Sequence, residues 1–132
     1  MDAYGFTYKG YTRETVVAKT TAYSLLENDS GKVFTNAGAS ASVTFSLPTV
    51  GAAFGTGTDG LVGTGAVYTI VKLTDDNVVI DAAAGDYIAD SSSGGQIQNT
   101  TASETYASIT LISVSTTQWA IAPGAVGTWT TV

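Results

Sequence analysis

The sequence has no cysteine and no histidine. Without cysteine there is neither a disulfide framework nor a thiolate metal site. Without histidine the commonest general base and the commonest metal ligand are both missing. Basic residues are scarce as well: 5 Lys and Arg stand against 11 Asp and Glu, for a formal net charge of -6. Nucleic-acid binding rests on neutralising phosphates, so an acidic chain of this kind is a poor candidate for it. Charged residues of both signs make up only 12% of the chain, while 44% is hydrophobic. Disordered chains show the reverse balance, so a folded module is expected. The 132 residues suffice for one domain.

Long apolar runs are also missing. A spanning helix needs about 20 apolar residues, and no such stretch occurs. The opening Met1-Asp2-Ala3-Tyr4-Gly5-Phe6 lacks the basic stretch and apolar core of a secretory signal. It reads as the start of an unprocessed product made in a cytoplasm. Helix signals are weak throughout, because strong helix formers other than Ala are few and no window carries clean spacing of three and four.

What is present is strand chemistry. Ser42–Leu47 alternates strictly, with Val43, Phe45 and Leu47 on one side, and Pro48 ends it. Val67–Leu73 and Val78–Ile80 are β-branched runs separated by the turn formers Asp75-Asp76-Asn77, which predicts a hairpin. Tyr87-Ile88 and Gln96–Gln98 are shorter candidates. Ala107–Val114 and Gln118–Ala122, joined by Ser115-Thr116-Thr117, predict a second hairpin, and Thr128–Val132 closes the chain. Turn signals recur about every 8–12 residues, as in all-β sandwiches and barrels. The expected fold is therefore all-β: a single antiparallel sandwich or jelly-roll-like barrel over residues 23–132, preceded by an extended N-terminal arm over residues 1–22.

Four of the 13 aromatic residues lie in the first 11 positions, and Tyr4, Phe6 and Tyr8 sit at spacing two. In an extended segment those three rings share a side. Two readings stand: a first strand whose rings enter the module's own core, or an arm whose rings dock on another chain. The arm is preferred, because the segment precedes the first turn signal, Asn28–Gly31, and carries Lys9, Arg13 and Lys19. A second unusual stretch, 51–65, holds six glycines in 15 positions. It reads as a loop anchored by Phe54, Leu61 and Val62, and the Lys and helix start of a P-loop do not follow it. Beyond Lys72 there are six acids and no basic residue, so the second half supplies the whole net charge.

Catalytic material is thin. Asp81, Asp86 and Asp90 are the only closely spaced carboxylates that suggest paired acid–base work, and no aromatic-lined groove marks them. Asp75, Asp76 and Asn77 offer oxygen ligands for Ca²⁺ but lack the spacing of an EF-hand loop. The abundant Ser and Thr have no histidine to activate them. Lys32 and Lys72 are expected at the surface or at a strand edge. No catalytic residue, cofactor or resident metal is assigned.

Exposed strand edges are usually blunted with Lys or Pro, and this chain has few of either. The simplest reconciliation is that other copies of the chain cover them. The runs Tyr23–Leu26, Asn28–Phe34, Val43–Pro48 and Tyr68–Lys72, continued by Val78–Ile80, Gly85–Ile88, Ala107–Leu111 and Gln118–Ile121, resemble small β modules of tailed-phage virions. The likeness spans roughly residues 22–122. Such modules serve as capsid decoration (cement) proteins, head fibres and tail-fibre tips. The resemblance implies a homotrimer without enzymatic activity. A free-standing chain of this size is most similar to a decoration protein on the capsid exterior. Its arm residues Tyr4, Phe6, Tyr8, Tyr11 and Arg13 would then contact the major capsid protein. The rival within the same resemblance is a fibre module that binds host surface glycans through Trp119, Trp129 or the 51–65 loop. A small polysaccharide-acting enzyme is a third possibility, resting on the carboxylates alone.

Overall fold

The structure is a computed structural model that describes residues 15–51, 61–62 and 64–132. Among these residues thirteen strands follow one another: β1 (Val16–Ala18), β2 (Tyr23–Ser24), β3 (Val33–Thr35), β4 (Val43–Ser46), β5 (Thr49–Val50), β6 (Leu61–Val62), β7 (Val67–Val71), β8 (Val78–Asp81), β9 (Tyr87–Ile88), β10 (Gln96–Asn99), β11 (Ser108–Ser113), β12 (Gln118–Ile121) and β13 (Thr130–Thr131). A single 3₁₀ turn, Glu27–Asp29, is the only helical element among the described residues. No helix there is long and apolar enough to cross a membrane.

Two mixed sheets pack as a sandwich. One has six strands in the order β1-β3-β7-β11-β12-β9, the other five in the order β13-β10-β8-β4-β2, and β5 and β6 form a small parallel pair. The all-β sandwich expected from the alternation is what forms. The strand directions differ from the antiparallel expectation, because β1–β3, β3–β7, β2–β4, β4–β8, β5–β6 and β9–β12 all pair in parallel.

Four of the six parallel pairs have one origin. Three times the chain runs up the six-stranded sheet, crosses the core and continues in the other sheet: β1 to β2, β3 to β4, β7 to β8. The three arches stack in register. Val17, Phe34 and Ile70 line up in one sheet, and Tyr23, Phe45 and Ile80 in the other. The hairpin predicted between β7 and β8 is therefore replaced by an arch. Each strand has a completely buried side, with Tyr68 and Ile70 on β7 and Val78 and Ile80 on β8. Placing them in facing sheets turns both buried sides toward each other. The β11–β12 hairpin forms as expected, with Leu111 opposite Ile121 and Ser113 opposite Trp119.

The core is aromatic and aliphatic. Phe34 stacks on Tyr23 at 5.5 Å and meets Phe45 at 6.0 Å. Trp119, expected inside, is fully buried 5.7 Å from the Tyr68 ring. Trp129 is half-buried and donates its indole N–H to the Val126 carbonyl at 2.9 Å.

Part of the segment read as an arm belongs to the sandwich. Val16–Ala18 form the edge strand beside β3, and the Lys19 N–H donates to the Thr35 carbonyl at 2.8 Å. The Lys19 ammonium sits 3.8 Å from the centre of the Tyr23 ring. Tyr4, Phe6, Tyr8, Tyr11 and Arg13 lie outside the described residues, as does Phe54 of the glycine-rich stretch.

Candidate interaction surface

Strand alternation assigns every second residue to the outer side of its sheet. On the six-stranded sheet the inner set is Val17, Phe34, Tyr68, Ile70, Ile109, Leu111 and Trp119, all packed in the core. The outer set follows from the register. Val16 and Ala18 of β1 lie beside Val33 and Thr35 of β3, and these beside Thr69 and Val71 of β7. Next come Ser108, Thr110 and Ile112 of β11, with Ile112 opposite Val67, and then Ala120 of β12. None of these residues is charged. Val126 extends the same side by pairing with Ser108 in an isolated bridge, and both Val16 and Val126 are exposed.

Three of the hydroxyls on this face have partners. The Thr69 and Thr110 hydroxyls, cross-strand neighbours, lie 2.9 Å apart. The Thr35 hydroxyl accepts the Ala37 N–H at 3.3 Å. At the edge, the Gln118 amide donates to the carbonyls of Ala89 and Trp119, each at 2.9 Å. Tyr106 stands just before β11 and is 74% exposed with φ of 75°. Non-glycine residues seldom adopt that conformation. Its N–H donates to the Lys72 carbonyl at 2.6 Å, which holds the aromatic ring out at the sheet's end.

The outer side of the five-stranded sheet is different. It carries Ser24, Thr44, Ser46, Val79, Asp81, Gln96, Gln98 and Thr130. Hydroxyls, amides and a carboxylate occupy the positions that Val and Ile hold on the opposite face.

The ionisable residues considered for chemistry have structural partners or stand apart. Asp86 is buried, and its Oδ2 accepts the Val50 N–H at 2.9 Å, which ties the turn before β9 to β5. Burial pushes its carboxyl above the usual carboxylate range, against the lowering effect of that bond. Asp90 accepts the Thr131 hydroxyl at 3.1 Å, and Asp81 lies on the outer side of β8. Asp75, Asp76 and Asn77 form the crossing from β7 to β8. Among the described residues no group of three or more acidic side chains is placed to hold a metal ion.

Two polar centres escaped the sequence reading. Asp29, the buried last residue of the 3₁₀ turn, accepts the Tyr23 hydroxyl at 2.8 Å, the Lys32 ammonium at 2.9 Å and the Leu26 N–H at 3.0 Å. Burial alone would raise its carboxyl, but these three donors together hold it below the usual range. Lys72, expected at the surface, is fully buried. Its position directly after β7, in step with Tyr68 and Ile70, was the available signal. Its ammonium donates to Asn99 Oδ1 at 3.2 Å and to the Thr101 carbonyl. The Asn99 amide donates in turn to Glu104 at 2.7 Å, and Glu104 accepts both the N–H and the hydroxyl of Thr128, at 2.6 and 2.8 Å. Those donors, with the Thr128 N–H the strongest, lower the Glu104 carboxyl. Beside this cluster Gly127 has φ of 93°, and a Cβ there would fall 2.6 Å from the Ala107 Cβ.

No known protein-family model matches the chain, and no curated protein sequence matches it either.

Proposed function

We propose that the chain is a non-enzymatic structural protein of a tailed-phage virion: a capsid decoration protein that binds the major capsid protein as a homotrimer and stabilises the head from outside. The observation that carries this reading is the charge-free, largely aliphatic outer face of the six-stranded sheet. A contiguous apolar face beyond a few hundred Å² marks a surface that another protein covers. The ring-rich segment with Tyr4, Phe6, Tyr8, Tyr11 and Arg13 adds a second contact surface, suited to the capsid because it precedes the edge strand β1. Ring burial would supply the binding energy, at about 25 cal/mol per Å² of apolar area before association costs. A protein that binds only the assembled shell stabilises it by linkage.

The test is to mix purified chain with undecorated capsids, using the full-length protein and a version lacking residues 1–14. Full-length protein should co-sediment with capsids and raise their melting temperature, and the truncated version should not bind. Capsids left bare by the full-length protein remove the decoration reading. Equal binding by both versions removes the role of the leading segment.

A further inference from the structure

We propose that Lys72 and Asn99 close an intramolecular amide bond, a covalent staple between the two sheets that the chain forms on itself. The inference goes beyond the virion reading and does not rest on it. Lys72 directly follows β7 of the six-stranded sheet, and Asn99 ends β10 of the five-stranded one. The chain has no cysteine, so no disulfide can join the sheets there.

The reacting groups already touch. Lys72 and Asn99 are both 0% exposed, so bulk water does not compete for either. The Lys72 amine lies 3.2 Å from Asn99 Oδ1 and also donates to the Thr101 carbonyl, which pins it beside the carboxamide it would attack. The amide's orientation follows from its partners. Oδ1 accepts from the Lys72 amine and, at 3.1 Å, from the Thr101 N–H, while Nδ2 donates to Glu104 at 2.7 Å. Turned over, the amide would set its NH₂ against two donors and its oxygen against a carboxylate.

Each neighbour of that amide has a use in acyl transfer. A lysine amine is a nucleophile once it sheds a proton. Its attack forms the Nζ–Cγ bond and moves the carbonyl electron pair onto Oδ1, where the Thr101 N–H stabilises the negative charge. Glu104 bonds the leaving nitrogen and carries the protons. Two protons leave the lysine ammonium, pass to the Glu104 carboxylate and go on to Nδ2. The Cγ–Nδ2 bond then breaks, and the nitrogen departs as ammonium. Lysine ammonium and carboxamide thus give a secondary amide and free ammonium. Glu104 ends unchanged, and no oxidant or reductant is needed.

The surroundings favour this use over simple neutralisation of a buried cation. A carboxylate present only for its charge would bond the ammonium, whereas Glu104 bonds the amide nitrogen. It is held in that position by the Thr128 N–H and hydroxyl. Gly127 keeps the leaving group uncrowded: a Cβ there would fall 2.9 Å from Glu104 Oε2 and 3.2 Å from Asn99 Nδ2. Glu104 is only partly buried, so the ammonium has a way out past it.

The test uses the full chain and needs no capsid. Intact-mass spectrometry of the folded protein should find it lighter than its sequence by one ammonia. No Lys or Arg follows Lys72, so trypsin acting on the denatured chain releases 73–132 when Lys72 is free. An acylated Lys72 resists cleavage and leaves 33–132 whole, which is the expected result. Chymotrypsin should then yield one branched peptide holding Lys72 and Asn99. Glu104→Gln keeps a bonding side chain without a proton carrier and should slow closure about a hundredfold or more. Lys72→Met should keep its full sequence mass, and its stability measured against Glu104→Gln reads the hydrogen bonds of Lys72 alone. A folded wild-type chain still at full mass after days at neutral pH overturns the inference. Loss of ammonia with release of 73–132 also overturns it, since the loss then lies elsewhere. So does a folded Glu104→Gln that closes at the wild-type rate. Should a variant fail to fold, the wild-type mass and digest decide alone.

Discussion

The two halves of the chain build their shares of one sandwich by different means. From β1 to β8 the chain passes three times from the six-stranded to the five-stranded sheet, and the resulting arches stack in parallel. From β10 to β13 the ladders are antiparallel except where β12 pairs β9, and β11 returns as β12 through an ordinary hairpin. The turns differ accordingly. The β7–β8 crossing is held by the buried amide of Asn36, whose Oδ1 accepts the N–H groups of Leu73 at 2.6 Å and Thr74 at 3.2 Å. Its Nδ2 donates to the Thr74 hydroxyl at 2.8 Å. In the hairpin turn the comparable bond, from the Thr117 N–H to the Ser115 hydroxyl at 3.3 Å, is exposed. Backbone groups at an arch face the interior and need side-chain partners, whereas those at a hairpin tip have water.

The sharpest way to break this comparison is to remove the arch clamp. Asn36→Ala leaves two backbone donors without their acceptor and should cost about 2–4 kcal/mol in urea unfolding. The matching hairpin change, Ser115→Ala, should cost less than about 0.5 kcal/mol. Equal costs would erase the distinction. Both are to be measured at one protein concentration.

Lys72 tests how the halves are joined. It belongs to the last arch but bonds to Asn99 and Thr101 in the antiparallel half. Lys72→Met keeps the packing and strands those acceptors, so a loss of about 1–3 kcal/mol is expected. Hydrogen exchange should quicken in β10 and β13 before the stacked arches respond. Uniform acceleration would mean the halves are not separable units.

The smallest effect distinguishes the halves by acid. The Asp29 carboxyl in the arch half is lowered from its ordinary 3.8, so its contribution is present above that value and lost as pH falls through the folded one. Asp29→Asn should cost about 1–2 kcal/mol at neutral pH, and the gap from wild type should close below about pH 4. Glu104 in the other half has the same sign, but it is exposed and should contribute a shallower slope. Asp86 runs opposite: its raised carboxyl favours the fold at low pH and is unfavourable once ionised. A gap at Asp29→Asn that stays constant down to pH 2 would show that the carboxylate's charge plays no part.

Much of the fold was legible because alternation is a local signal. Val43 and Phe45, Tyr68 and Ile70, Ile109 and Leu111 each declare an inner side, and all six are buried. Val33, Val71 and Ile112 fall on the outer side of the six-stranded sheet. Lys72 was misplaced because a lone lysine after a β run ordinarily marks solvent. Its burial depends on Asn99 and Thr101, far along the chain. Asp29 looked like a turn former, and so it is, but its partners Tyr23 and Lys32 gather around it only when the 3₁₀ turn forms.

The sequence by itself determined an all-β module of low charge, the inward side of each long strand, and the β11–β12 hairpin. A period of two and a short polar turn are fixed by neighbouring residues. Only the tertiary structure decided that β7 and β8 face each other across the core, that the arches stack in parallel, and that one sheet's outer side is free of charge. Strand alternation is identical for parallel and antiparallel partners. The choice between them is made by which distant side chains fill the space between the sheets.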